Sequence, residues 1–565
     1  MIRRKLLILV STFSVITLAS PAIYAGSSPA RAKLGMVITQ SDIASEVGFQ
    51  VIKNGGNAMD AAVASAFALS VTHPTAGNIG GGGFLVYRPT SGAPVSYDFR
   101  EAAPSGSSPE MWLKDGKYNY DLHHNSHRSV GIPGTVAGLH LAWKEQGSKP
   151  WKELVMPAVV LARDGFEISH GLANSLERML PAFKKYPATL AQFSKNGQPY
   201  QAGEILKQAD LARSLLRIAE QGPAGFYEGE TARLIEQEMK ANGGLITRED
   251  LKEYQAKKRD VIKGSYRGYD IIGMAPPSSG GIALVEMLNL LEGYDLKANG
   301  YGSAKNQHLI TEVMRRTFAD RAQYLGDPDF VNDMPIASLT SKAYAADLRK
   351  TINPLKASKS SPTSFTWPAE SLETTHLSVV DAQRNAVSLT YTLEYGYGSR
   401  IVVPGAGFLL NNEMGDFNAG PGLTTDRGQI GTKPNLAMVG KRMLSSMSPT
   451  IITKDGKLFM VTGSPGGKTI INTVLTTIVN VIDFGMNAQE AVDSGRMHHQ
   501  WLPDTLYVER FGFSADTIKT LQAMGHTVKE GEGQGAAEVI ILNAKDNLLE
   551  GGVDRRPADG GAAGK

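Results

Sequence analysis

Two short alternating segments, HLSVVD and AVSLTYTL, flank a tight DAQRN turn at residues 381–385, and this pair constrains the fold more than any other stretch. Read as antiparallel strands with the turn centred near Gln383, they pair Ser378 with Ser388, His376 with Thr390 and Thr374 with Thr392. Side chains alternate across a strand, so these six share one face, while Leu377, Val379, Val387, Leu389 and Tyr391 share the other. A slip of one residue would mix the two sets, so the pattern specifies its own register. The apolar face must pack, and the opposite face carries hydroxyls and one imidazole.

The rest of the 565-residue chain is ordinary globular material, 42% hydrophobic and 20% charged, long enough for more than one conventional domain. Lys+Arg number 58 against 55 Asp+Glu, with no basic run, which argues against a nucleic-acid partner. There is no cysteine, so disulfides, thiolate metal sites and cysteine nucleophiles are excluded together. Arg3, Arg4 and Lys5 precede an apolar run to about Ala19 and small residues at Ala22 and Ala25. This pattern predicts a signal peptide over residues 1–25, cleaved after Ala22 or Ala25; as a membrane anchor the run falls short of the ~20 apolar residues a span needs. A soluble mature protein, periplasmic or secreted, is expected.

From Ser41 helical patterns alternate with glycine punctuation. SDIASEVGFQVIKNGG predicts one helix, and NAMDAAVASAFALSVTHP a second that is apolar nearly all round and therefore buried. Strands are expected at Phe84–Arg88 and Val95–Arg100, and the Gly80–Gly83 run reads as a tight, packed turn. Helical periodicity dominates residues 151–355, with LARSLLRIAEQG, TARLIEQEMKANGG and GGIALVEMLNLLEGYD as clear cases. KASKSSPTSFTWPAESLE, residues 356–373, has no apolar period and reads as an exposed linker. Beyond it strands are predicted at HLSVVD, AVSLTYTL, RIVVPGAGFLL, SPTIITK and KLFMVTG before helices resume. The expectation is a layered α/β or α+β body with helices outside antiparallel sheets.

Thr374 stands where the linker meets a strand that must be buried. Cleavage between Glu373 and Thr374 would make this threonine a new N-terminus. Its hydroxyl would attack the Glu373 carbonyl, the peptide would shift to an ester, and water would release an α-amino group beside the hydroxyl. That amine, with an ordinary pKa of about 7.7 to 8.0, can serve as base for the same hydroxyl. Thr392, paired opposite, would hold the hydroxyl in place.

TTHLSVVD with TYTL, then GFLLNNEMGDF, RMLSSMSPT and GSPGG, resembles the γ-glutamyltransferase (γ-glutamyltranspeptidase) family of N-terminal-nucleophile hydrolases. The likeness extends through DFREAAP, PPSSGG and ADRAQYLGDPDF to the DRRPADGGAAG tail, so it covers essentially the whole mature chain. It implies an α+β fold, a four-layer αββα sandwich built from a large fragment (26–373, helix-rich) and a small one (374–565, strand-rich). It further implies cleavage of glutathione and related γ-glutamyl donors, with water, amino acids or peptides as acceptors, and a heterodimer of the two fragments without any cofactor. By this resemblance Thr374 is the nucleophile. Arg100 holds the donor's α-carboxylate, as a bidentate guanidinium suits, together with Ser445 and Ser446. Glu413 and Asp416 face its α-ammonium. Gly466 and Gly467 present backbone N–H groups to the oxyanion at a helix start. Read alone, Arg100 would form a surface ion pair with Glu101 or Asp98.

Three positions depart from the family pattern. Glu394 follows TYTL where many members carry Asn, and Gly415 replaces the first acid of an Asp-Asp pair. Arg427 stands in the GPGLTTDRGQIGTKPN loop where an aromatic gate often sits, so a less sealed pocket is expected to favour water as acceptor. GSPGGKT looks like a phosphate loop, but Thr462 occupies the position where that motif needs glycine. His498 and His499 are adjacent and would point apart, so no catalytic metal is expected. Two rival readings stay open: a glutaryl-type β-lactam acylase using the same Thr374 chemistry, and an unprocessed secreted protein that binds the γ-glutamyl group without turnover.

Overall fold

Two seven-stranded sheets lie face to face, every neighbouring pair within them antiparallel. The structure, a computed structural model, describes residues 26–361, 374–423, 425 and 431–565. The expected leader, most of the linker with Glu373, and Arg427 lie outside the described residues. One sheet runs in the order Gly561–Gly564, Met36–Thr39, Thr375–Val380, Ala386–Thr392, Gly82–Arg88, Val95–Phe99, Lys257–Arg259. The other runs Ala30–Ala32, Leu548–Val553, Glu538–Asn543, Lys457–Gly463, Thr450–Lys454, Tyr269–Gly273, Ile262–Tyr266. Seven of these strands precede Thr374 and seven follow it, so both sheets are woven from both parts of the chain.

The hairpin has the register its alternation requires: His376 opposite Thr390, Leu377 opposite Leu389, Ser378 opposite Ser388. Its apolar face joins a core with the helices Asp42–Lys53, Ala58–Thr72 and Trp151–Asp164. All 15 residues of Ala58–Thr72 are buried, and Asn57 and Asp60 close its N-terminus as a reciprocal capping box. Tyr391 reaches this helix with its hydroxyl, which donates to the Ala66 carbonyl at 2.9 Å. On the far side Gly280–Leu291, Ala304–Tyr324 and Thr469–Ile482 cover the second sheet. The result is the α+β sandwich of four layers, helix, sheet, sheet, helix.

The hydroxyl face does not open as a whole into a site. Most of it is the seam between the sheets: Ser378 donates to the Glu538 carbonyl at 3.0 Å, while Ser388 donates to the Thr462 carbonyl at 2.9 Å and accepts the Thr450 N–H at 3.0 Å. His376 lies between Thr390 and Ser378, at 2.8 and 3.1 Å, against Gly463, where an added Cβ would sit 2.2 Å from the imidazole. Burial alone holds its pKa at about 3. Thr374 and Thr392, at the hairpin's end, instead border a cavity.

RIVVPGAGFLL is no strand. Pro404 lacks an N–H and Gly405 and Gly407 take left-handed φ of +77° and +76°, so the run folds back on itself, Val403 N–H to Phe408 carbonyl at 3.0 Å, leaving only an isolated Val402–Leu409 bridge. Its apolar side chains still enter the first core.

Candidate active site

At the end of the hairpin a small cavity is lined by Arg100, Thr374, Thr392, Glu394, Glu413, Asp416, Ser445, Ser446 and Gly467. Met447 and Ile470, which carry no polar signal in the sequence, complete the wall. A larger open groove, between Asp42–Lys53 and Trp151–Asp164, holds none of these residues.

Thr374 is almost wholly buried, and its hydroxyl donates to Thr392 Oγ1 at 3.4 Å. Thr392 Oγ1 also accepts the Glu394 N–H at 2.8 Å, which fixes its lone pairs toward these two donors. Glu394 holds a left-handed φ of +78°, a backbone state that costs a non-glycine residue on the order of 1–3 kcal/mol.

Gly466 and Gly467 lie between the strand Lys457–Gly463 and the helix Thr469–Ile482, with φ of +126° and +54°. Thr469 donates its hydroxyl to the Gly466 carbonyl at 2.7 Å, turning that carbonyl into the loop. Gly467 borders the cavity; Gly466 sits one step behind it against Gly535. The phosphate-loop resemblance of GSPGGKT ends at Thr462, which is an ordinary strand residue opposite Thr450.

Arg100 is not a surface residue. Its guanidinium is fully buried, with Nη1 2.5 Å from Glu413 and 3.5 Å from Glu101, Nη2 on Asp416, and Nε donating to the Met443 carbonyl at 3.3 Å. Burial works against its charge, but Glu413, Asp416 and Glu101 outweigh that and raise its pKa above the usual range. Burial pushes Glu101 up to about 8, against the opposing pull of Arg100. Asp98 belongs to a separate pair, accepting from Arg442 at 2.5 Å and from Arg259 at 3.1 Å.

The departures Glu394 and Gly415 share one space. A Cβ at Gly415 would sit 2.7 Å from both Glu394 carboxylate oxygens and 2.4 Å from His124 Nδ1. Glu394 Oε1 lies 3.3 Å from that same nitrogen, and the His124 ring stacks on Tyr120 and Tyr395 at 4.5 and 5.5 Å. Burial, then the charge of Lys468, lowers the His124 pKa to about 3, so the ring is neutral. The Glu394 carboxylate, arriving from the hairpin's end, thus fills the space that a side chain at 415 would enter.

His498 and His499 do face different partners, Asn472 and Gln500 for the first and Asp504 for the second. Among the described residues three metal-capable side chains converge at His308, Glu312 and His526. There the imidazoles hydrogen-bond to each other at 2.8 Å, and Glu312 already accepts from Arg315, Arg316 and the Ser358 N–H. Glu312 is thus already held in an ion-pair network with Arg315 and Arg316, and the two imidazoles are held by one another. No helix among the described residues is long and apolar enough to cross a membrane.

Comparison with known proteins gives a consistent answer. The family described as "Gamma-glutamyltranspeptidase" matches residues 44–564. The "Glutathione hydrolase proenzyme" of Escherichia coli (strain K12) is 48% identical over 544 residues, 95% of this chain and 93% of that protein. A solved cephalosporin acylase from Bacillus halodurans superposes with a TM-score of 0.84 at 26% identity, covering 98% of this chain and 99% of its own. A solved Helicobacter pylori gamma-glutamyltranspeptidase chain matches at 46% identity and a TM-score of 0.55, covering 56% of this chain and 91% of its own. With a family match across nearly all of its length, the chain belongs to the gamma-glutamyltranspeptidase family of N-terminal-nucleophile hydrolases.

Proposed function

We propose that this chain is a periplasmic or secreted, self-processing γ-glutamyltransferase that hydrolyses glutathione and related γ-glutamyl amides. The observation that carries this reading is the meeting of a buried threonine pair with one arginine and three carboxylates around a single cavity. In processing, Thr374 Oγ attacks the Glu373 carbonyl carbon. The C–N bond gives way to an ester, and water splits that ester into a Glu373 carboxylate and a free Thr374 hydroxyl and amine. The fragments 26–373 and 374–565 stay together because both sheets are woven from both. The solved H. pylori chain fits this reading, since 91% of its length accounts for only 56% of the present chain.

In turnover the Thr374 hydroxyl attacks the donor's γ-carbonyl, passing its proton to its own α-amine while Gly466 and Gly467 N–H groups receive the oxyanion. The C–N bond breaks, the amine leaves with that proton, and water or an amino acid or peptide resolves the γ-glutamyl ester. Arg100 meets the α-carboxylate with Ser445 and Ser446, and Glu413, Asp416 and Glu394 meet the α-ammonium. Without donor, Arg100 is neutralised by Glu413 and Asp416. A zwitterionic amino-acid end exchanges that pairing for two complementary ones, whereas a glutaryl group, lacking the ammonium, would leave buried acids uncompensated. This disfavours the acylase reading despite the close fold. With Arg427 in the sequence position where the family resemblance expects an aromatic gate, water is expected to compete well with amino-acid acceptors; transfer far outrunning hydrolysis at moderate acceptor concentration would refute that part.

The decisive experiment is the denatured mass of the purified protein with N-terminal identification, followed by parallel assay of γ-glutamyl and glutaryl anilides. Two fragments, the smaller starting at Thr374, with γ-glutamyl preference are expected. A single chain that binds glutathione without turnover, or a glutaryl preference, would overturn the proposal.

A further inference from the structure

Two sequence motifs, PPSSGG and ADRAQYLGDPDF, have no part in the scheme above, yet they meet directly behind the serine pair. Arg321, on the helix Ala304–Tyr324, is buried. Its Nε donates to Ser279 Oγ at 2.6 Å and its Nη2 to Ser446 Oγ at 2.9 Å. Ser279 in turn donates both its hydroxyl, at 2.6 Å, and its N–H, at 2.8 Å, to the Ser445 carbonyl. Ser278 donates its hydroxyl to the Met447 carbonyl at 2.6 Å. The backbone of the serine pair is therefore pinned by PPSSGG, and the Ser446 hydroxyl by Arg321.

The chemistry of these groups fixes the direction of a proton. A guanidinium only donates, and a serine hydroxyl has one hydrogen and two lone pairs. Because Ser446 Oγ accepts from Arg321, its hydrogen can donate elsewhere, and Ser446 borders the cavity beside Arg100. An arginine at one hydroxyl's remove also places positive charge behind that end of the cavity, opposite in sign to the carboxylates of Glu413, Asp416 and Glu394. Lysine could reach one of the two hydroxyls but not span both as the planar fork does.

We propose that Arg321 is a positioning and specificity-determining residue that locks Ser446 as a hydrogen-bond donor to the α-carboxylate of the donor substrate. The inference rests on the γ-glutamyl reading above. It makes recognition of the α-carboxylate a two-arginine task, Arg100 by contact and Arg321 through Ser446.

The test compares two donors, a γ-glutamyl anilide and the 4-aminobutyryl anilide that lacks the α-carboxylate, on wild type, Arg321→Lys, Arg321→Gln, Ser446→Ala and the Arg321→Lys/Ser446→Ala pair. For the γ-glutamyl donor KM should rise about 10- to 100-fold in Arg321→Gln with kcat changed far less, and Arg321→Lys should recover part of it. For the 4-aminobutyryl donor kcat/KM should stay within about threefold of wild type. The double variant should be no worse than Ser446→Ala, since Arg321 acts through that hydroxyl. Equal losses on both donors, a fall in kcat alone, or additive losses in the double variant would overturn the inference. If Arg321→Gln does not fold, the Arg321→Lys and Ser446→Ala cycle decides alone. Failure of wild type to cleave itself or to use the γ-glutamyl donor would instead defeat the underlying functional reading.

Discussion

The two ends of one hairpin face carry the same residue types and do opposite things. At the inner rungs His376, Ser378, Ser388 and Thr390 are sealed between the sheets, and their polar atoms are spent on one another and on the Thr462 and Glu538 carbonyls. At the outer rung Thr374 and Thr392 face a cavity and meet across a long 3.4 Å. A hydroxyl whose lone pairs and proton are all engaged between two sheets holds them together; one that opens on a cavity keeps a nucleophilic oxygen within reach of a ligand. The difference lies in where the second sheet stops, not in the hairpin.

That contrast can be broken at either end. The largest effect is expected for Thr374→Ala, which should abolish both fragment formation and γ-glutamyl turnover while leaving the sandwich folded by circular dichroism; normal processing in this variant would remove Thr374 from the mechanism. Next comes acid sensitivity from the inner rungs. His376 has a pKa of about 3 when folded against 6.5 in an unfolded chain. Between those values the unfolded state binds the extra proton, so this stability is fully present above about pH 6.5 and is lost as pH falls toward 3, on the order of a few kcal/mol in all. His376→Gln should flatten that part of the denaturation profile against pH; an unchanged slope would show that the imidazole is not sealed. Ser388→Ala strands the Thr450 N–H and Thr462 carbonyl and should cost about 1–3 kcal/mol in urea unfolding with KM unaffected. The smallest effect is expected for Thr392→Val, which removes the acceptor of both the Thr374 hydroxyl and the Glu394 N–H: turnover should drop about tenfold, roughly 1.4 kcal/mol, and stability by about 1 kcal/mol, no more than for Ser388→Ala. A loss of stability larger than that of Ser388→Ala would reverse the assignment of the two ends.

Much of this was legible from the residues. The register of 375–392 followed from alternation, because a one-residue slip would bury Ser and His in the apolar core. The buried helix at 58–72 followed from its lack of a polar face. RIVVPGAGFLL misled because an apolar run is also what a core-filling loop needs, and Pro404 with two left-handed glycines outweighs β-propensity there. His124 gave no signal at all: it matters only because Gly415 leaves room for Glu394 beside it.

By itself, then, the sequence determined what depends on near neighbours along the chain: strand register, helix burial, the glycine loop before Thr469, and the family motifs. Tertiary structure alone decided which hydroxyls of one strand face became seam and which became site. It also decided that Arg100 would be a fully buried charge rather than a surface pair, and that Arg321 would come up behind Ser446 from 125 residues away. Those outcomes rest on contacts between segments far apart in the chain, where packing of the two sheets sets distances that no local pattern encodes.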